Sequence, residues 1–107
     1  MIEKFLQQER ELERAKIVSE TAKIPWLELQ RFFAAGKVML VAAELDLLDV
    51  AHAFQLDDIE QVKSWTENRQ VGPVNDDQAK HWVASDALLW AVVIKPWVLV
   101  QTITDSR

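Results

Sequence analysis

Two apolar runs near the C-terminus, separated by only Lys95 and Pro96, constrain the fold of this chain more than any other feature. Residues 88–94 read Leu-Leu-Trp-Ala-Val-Val-Ile and residues 97–103 read Trp-Val-Leu-Val-Gln-Thr-Ile, and each run has the length and composition of a β-strand. Both faces of 88–94 are apolar, so we expect this strand at the centre of a sheet that helices cover on both sides. The Lys95-Pro96 step fits either a tight hairpin, with a cis proline as one form, or a single bent strand, and we favour the hairpin.

Helical spacing and capping residues predict helices over most of the remaining chain. Residues 1–22 are rich in strong helix formers and contain neither glycine nor proline, but their apolar stripe is thin. Pro25 suits the first turn of a second helix, and Gly36 suits the left-handed residue that ends it. Further helices are predicted after Asp46, Asp57 and Asn75 as capping residues, and shorter strands over 37–42 and 71–74, the second of them at an edge.

These elements predict an α+β fold in which four or five helices pack on a small, mainly antiparallel sheet, with the C-terminal β-hairpin central. The 107 residues suit a single domain, 1–107. Within it, we expect 25–103 to form the compact core and 1–22 to form an N-terminal helix that can project from it.

The middle of the chain shows an internal similarity. A shift of 33 residues along the sequence aligns Phe32 with Trp65 and Val38 with Val71, together with several other apolar positions. A true repeat would make this region two helix–strand–helix units. Matches between apolar segments also arise by coincidence, so both interpretations stay open.

The charge of the chain argues against two classes of partner. The formal net charge is −5, and no basic run exceeds one or two residues. Nucleic-acid binding would need a clustered basic face, for which the candidates are Arg10, Arg14, Lys16, Lys23 and Arg31. The same negative charge opposes docking on anionic lipid. We therefore expect neither nucleic acid nor membrane as a partner.

The chain contains no cysteine, which excludes disulfides, thiolate metal sites and cysteine nucleophiles. No apolar run approaches the roughly 18 residues of a membrane-spanning helix. The first residues lack the basic start and apolar centre of a signal peptide. Together these features predict a cytoplasmic protein.

Five residues are candidates for a pocket or an interface: Lys95, Trp90, Trp97, His52 and His81. Trp90 and Trp97 flank the Lys95-Pro96 step, and tryptophan is enriched at interfaces. Lys95 is the basic residue inside an otherwise apolar region, so burial would suit it to act as a base or to form an imine. The competing interpretation is a turn lysine that points to water, with the tryptophans filling the core.

Metal and cofactor chemistry finds little support in the sequence. Asp46, Asp49 and His52, and likewise Asp77 and His81, are spaced to share a helix face that could hold a metal ion. Asp46, Asp76 and Asp77 also lie at predicted helix starts, where the helix dipole and free N–H groups stabilise carboxylates, and we predict no metal site. Two glycines are too few for a phosphate loop or a dinucleotide fingerprint. We predict no cofactor, and the catalytic residues of an enzyme cannot be assigned.

Five motifs carry a resemblance to a known family: Glu20-Thr-Ala-Lys-Ile-Pro-Trp26, Leu29-Gln-Arg-Phe-Phe-Ala-Ala-Gly36, Glu44-Leu-Asp-Leu-Leu-Asp-Val-Ala51, Trp90-Ala-Val-Val and Lys95-Pro-Trp-Val-Leu-Val-Gln101. In order and spacing they resemble a family of short proteobacterial and cyanobacterial proteins, the domain of unknown function 2288. The resemblance covers roughly residues 13–101. It implies a bacterial, cytosolic, single-domain protein, and it implies no activity, ligand or site residue.

The leading functional hypothesis is a non-enzymatic protein-interaction module that forms a homodimer. The strand 97–103 ends the predicted fold and would leave an open sheet edge, and the helix over 3–22 has little apolar surface to hold it on its own domain. Pairing with a second copy would cover both. The alternative is a small-molecule-binding protein or enzyme with a tryptophan-lined pocket near Lys95.

Overall fold

A five-stranded sheet between two layers of helices makes up the part of the chain that the computed structural model describes, residues 12 and 15–103. The helices are α1 (15–20), α2 (Trp26–Ala34), α3 (Leu47–Gln55), α4 (Ile59–Glu67) and α5 (Asp76–Ala84). The strands are β1 (Ala22–Pro25), β2 (Val38–Val41), β3 (Val71–Pro73), β4 (Leu88–Ile94) and β5 (Trp97–Thr102). The predicted α+β class is therefore confirmed. Most of the predicted helix over 1–22 lies outside the described residues.

The sheet is built around the hairpin of β4 and β5, in the strand order β1-β4-β5-β2-β3. The hairpin was the favoured prediction and is confirmed, with a cis peptide bond between Lys95 and Pro96 in its turn. The pairs β1–β4, β4–β5 and β2–β3 are antiparallel, and β2–β5 is parallel. A mainly antiparallel sheet with a central C-terminal hairpin was predicted, and this too is confirmed.

The prediction that the last strand would leave an open edge is wrong. β5 pairs with β4 on one side and with β2 on the other, where Leu99 lies opposite Met39. The parallel partner comes from the middle of the chain, and such long-range pairing leaves no local signature. The true edges are β1 and β3, which are short and contain Pro25 and Pro73. Strand β1 was not predicted, because its four residues lie where the predicted helix over 1–22 ends and the next predicted helix begins at Pro25.

Side chains of the central strands alternate between two cores, one on each face of the sheet. On the face covered by α2 and α5, Trp26 and Trp82 pack with their ring centroids 4.8 Å apart. The face covered by α1, α3 and α4 holds Leu99 and the partly buried Trp65. Ile17 of α1 is also buried in that second core, so the described part of the N-terminal helix contacts the sheet. Burial of β4 on both faces agrees with its continuous apolar sequence.

Each of α2 to α5 is nine residues long and ends in the same way. The second residue after each helix has positive φ: Gly36 (72°), Asp57 (54°), Arg69 (59°) and Asp86 (50°). In each case the amides of that residue and the next donate to carbonyls of the last turn, as Lys37 N–H does to the Phe32 carbonyl at 2.9 Å. These are Schellman caps, which reverse the chain and send it into a strand or the next helix.

Helix starts follow the predicted capping residues in two cases out of three. Asp46 accepts from the Leu48 amide and Asn75 accepts from the Gln78 amide, as expected. The third predicted cap, Asp57, is wrong. Asp58 caps α4 by accepting from the Gln61 amide, because Asp57 is the left-handed residue that ends α3.

The internal shift seen in the sequence is reproduced by part of the secondary structure. α2 begins at Trp26 and α4 at Ile59, which is the same separation as that between the first residues of β2 and β3. The second helices do not keep this separation. α3 begins at Leu47, and α5 begins at Asp76, about one turn earlier than the separation between α2 and α4 would predict. The helix–strand step therefore recurs at one spacing, and the second helix of each unit does not follow it.

No helix among residues 12 and 15–103 has the length and apolar character needed to cross a bilayer.

Candidate functional site

A cleft of about 500 Å³ opens on the α2/α5 face of the sheet, beside the turn of the central hairpin. The last turn of α2 supplies Arg31 and Phe32, and Lys37 follows at the start of β2. The hairpin supplies Val93, Lys95 and Val98. We call this concavity the basic cleft, because three of its eight lining residues are cationic.

The Schellman cap of α2 holds the walls of the basic cleft in place. Gly36 takes positive φ, and Lys37 N–H donates to the Phe32 carbonyl at 2.9 Å. The Lys37 carbonyl accepts from the Val98 amide, also at 2.9 Å. The backbone of Lys37 is thereby tied to α2 on one side and to β5 on the other. Its side chain starts from a fixed point between the two elements.

The cations of the basic cleft have no acidic counterpart among the described residues that line it. No Asp or Glu is among its lining residues, and within the described part of the chain none of Arg31, Lys37 and Lys95 forms an ion pair. The Arg31 guanidinium lies 4.8 Å from the centroid of the Phe32 ring, a cation–π distance. In a chain of net charge −5, a concave surface whose charged lining residues are all cations produces a local positive potential that favours an anion.

Lys95 occupies the hairpin turn and is exposed, so the burial considered for it in the sequence is absent. It also borders a second depression on the far side of the turn, where Lys16 and Glu20 both contribute, so opposite charges meet there. Trp90 and Trp97 pack with the opposite core, on the α3/α4 face. The structure therefore does not gather the two tryptophans around Lys95, and the aromatic ring in the basic cleft is Phe32.

Trp97 lines a different depression, of about 350 Å³, between the hairpin and the corner that joins α3 to α4. Phe54, Ile59 and Val62 form its apolar wall, and Leu56 lies in the corner itself. We call Trp97, Phe54, Leu56, Ile59 and Val62 together the Trp97 surface. The Ile59 side chain is 74% exposed and Leu56 is 46% exposed, so the surface presents apolar groups to solvent.

Trp90 lines a separate depression of about 300 Å³ with Val18 and Leu48.

The two histidines lie on opposite sides of the sheet, His52 on α3 and His81 on α5. His81 is exposed, whereas the Nε2 atom of His52 is buried without a hydrogen-bond partner among the described residues. Over residues 12 and 15–103, no group of three or more His, Asp or Glu side chains is placed to hold a metal ion. The geometry gives these histidines no shared site.

Sequence reasoning singled out Lys95 but did not connect it to its neighbours in the cleft. The sequence indicated Arg31 only as a candidate for a nucleic-acid-binding face, and it indicated no site role for Phe32 or Lys37. Arg31 and Lys37 are separated from Lys95 by most of the chain and form no charge run. The parallel pairing of β2 with β5 is what brings them together.

A mixed five-stranded sheet between two helical layers, with a basic cleft beside its central hairpin, defines the class of this protein as a three-layer α+β domain. The chain belongs to the DUF2288 family of proteins of unknown function, whose family model matches residues 12–102. The NMR solution structure of PA1075 from Pseudomonas aeruginosa is similar, with 45% sequence identity and a TM-score of 0.76. That match covers 85% of this chain and 84% of PA1075. A comparison with curated proteins gives no match.

Proposed function

We propose that this protein is a non-enzymatic interaction module that forms a homodimer through the Trp97 surface. The observation that carries the proposal is the exposure of α4. None of its nine residues is buried, and Ile59 in its first turn is 74% exposed. Helices of this length gain most of their stability from packing an apolar face, so α4 lacks much of the burial that such a helix normally has. A second copy would supply it.

Charges around Ile59 suit contact between two identical surfaces. Asp57 and Asp58 precede Ile59, and Lys63 follows it one turn later along α4. A two-fold axis near Ile59 would place the aspartates of one copy near Lys63 of the other. The ion pair of Lys63 with Glu67 does not oppose this, because it is long, at 3.9 Å, and solvent-facing. An apolar centre with a charged rim is the usual anatomy of an interface.

This route replaces the sheet edge that the sequence suggested. The outer edges of the sheet are β1 and β3, and the prolines Pro25 and Pro73 remove N–H donors from both strands. Short strands with proline are a common protection against edge-to-edge pairing. Association through a helical surface is therefore the favoured geometry for a second copy.

Analytical ultracentrifugation of the full chain at micromolar concentration tests the proposal. The wild type should sediment with twice the 12.3 kDa mass of one chain. Ile59→Glu should sediment as a monomer, and it should keep its helical circular dichroism because glutamate is favoured in a first helical turn. The matched control is Leu27→Glu, which charges another exposed apolar residue in a first helical turn, that of α2, and should remain dimeric. A wild-type monomer, or an unchanged Ile59→Glu dimer, would refute the proposal.

Small-molecule binding near Lys95 is the second candidate function, and the basic cleft favours it.

We retain the rest of the functional hypothesis as part of this proposal: a bacterial, cytoplasmic protein without cofactor and without a nucleic-acid or membrane partner. The bacterial origin is supported by the relationship to a Pseudomonas aeruginosa protein. The net charge of −5 supports the exclusion of polyanionic partners.

A further inference from the structure

We propose that the basic cleft binds a small organic phosphate, with its phosphoryl group held by Arg31, Lys37 and Lys95 and its apolar body against Phe32 and Val93. This inference rests on the second candidate function, whose ligand class it specifies, and is independent of the proposed homodimer, since the cleft and the Trp97 surface lie on opposite faces of the sheet. A failure of one therefore leaves the other standing.

The charges call for a multivalent anion. One cation at the end of α2 would complement the partial negative charge of the helix C-terminus, and Arg31 fills that role. Lys37 and Lys95 exceed that need, and within the described residues neither forms an ion pair with a carboxylate. Arginine can bind phosphate oxygens in a forked geometry, and lysine adds point charges.

The end of α2 does not repel an anion as strongly as an uncapped helix would. The carbonyls of Arg31, Phe32 and Phe33 already accept hydrogen bonds from the amides of Ala35, Lys37 and Gly36. These bonds occupy the carbonyl groups that would otherwise face a bound phosphate.

The apolar floor of the cleft indicates an organic ligand and not a bare ion. Val93 lies on the α2/α5 face of β4 and is 46% exposed, although Leu89 and Ala91 on the same face of that strand are buried. Val98 and the Phe32 ring complete an apolar area next to the cations. The cleft volume of about 500 Å³ is within the range of small-molecule sites. A longer polyanion such as a nucleic acid would meet the acidic remainder of the surface.

A ¹⁵N–¹H NMR titration of the full chain with phenyl phosphate, in a low-salt buffer without phosphate, tests this site. We expect saturable shift changes at amides of residues 31–37, 93–95, 97 and 98. Lys37→Gln and Lys95→Gln should each weaken the affinity roughly tenfold, as expected when a charge-assisted hydrogen bond is lost. The control Lys80→Gln makes the same charge change on an exposed lysine of α5 outside the cleft and should bind like the wild type.

Two further probes separate the parts of the proposal. Phenol carries the ring without the charge and should not bind, and inorganic phosphate carries the charge without the ring and should bind more weakly than phenyl phosphate. Equal binding of inorganic and phenyl phosphate would overturn the organic part of the proposal. Shifts spread over all lysine-rich surfaces, or unchanged affinity in both Lys→Gln variants, would overturn the site itself.

Discussion

Replacing Gly36 with alanine measures what the reversal after α2 requires of the backbone. Gly36 has φ of +72°, and a Cβ placed there would meet no atom within 4 Å. The penalty therefore comes from the left-handed backbone alone, about 1–2 kcal/mol for an L-residue with a Cβ. The alanine also restricts the unfolded chain, which returns about 0.4–1 kcal/mol. We expect Gly36→Ala to lower the free energy of unfolding by about 1 kcal/mol.

The same position at the end of α4 allows the reverse experiment. Arg69 has φ of +59°, is exposed and forms no ion pair within the described part of the chain. Arg69→Gly removes the backbone penalty and should raise the free energy of unfolding by about 1 kcal/mol. The adjacent residue Asn68 has φ of −85°, so Asn68→Gly relieves no strain and should destabilise the protein.

Urea denaturation followed by tryptophan fluorescence, at one protein concentration for all variants, measures these changes. With a slope of about 1–3 kcal/mol/M, the midpoints should shift by roughly 0.3–1 M, downward for Gly36→Ala and upward for Arg69→Gly. The slope itself should stay constant, because the surface exposed on unfolding does not change. A lower midpoint for Arg69→Gly, or an unchanged one for Gly36→Ala, would refute the Schellman-cap reasoning.

Three further substitutions test the core and the helix starts by the same urea assay. Leu99 is fully buried at the centre of β5, so Leu99→Ala should lower the free energy of unfolding by about 2–5 kcal/mol. Val93 is half-exposed in the neighbouring strand β4, so Val93→Ala should lower it much less. Similar losses in both variants would contradict the assigned burial. Asn75 accepts a 2.7 Å hydrogen bond from the Gln78 amide, so Asn75→Ala should cost about 1 kcal/mol. A neutral Asn75→Ala would show that this cap does not stabilise α5.

Local chemistry explains which elements could be predicted from the sequence. The hairpin of β4 and β5 follows from two apolar runs and the Lys95-Pro96 step, which adjoin one another in the chain. The caps Asp46 and Asn75 bond to amides in the first turn of their own helices, so their signals are equally local. Asp57 was assigned wrongly because two aspartates in succession serve two different helix ends. Sequence pattern alone does not separate a left-handed aspartate from a capping one.

The basic cleft could not be predicted, because its residues come from separate elements that share no pattern. Lys95 stood out in an apolar region, but Arg31 and Lys37 are ordinary surface cations in the sequence. The tryptophans beside Lys95 misdirected the expectation of a pocket. Alternation along the strands sends Trp90 and Trp97 to the α3/α4 face, while the cleft lies on the other face.

The sequence by itself determined helices α2 to α5, strands β2 to β5, the central hairpin and two of the helix caps, because these depend on residues close together in the chain. The tertiary structure alone decided that β2 lies parallel to β5, that β1 and β3 form the edges, and that three cations share one cleft. Parallel pairing joins segments far apart in the chain, and its stability comes from burying both faces at once. That gain exists only when the whole sheet is assembled.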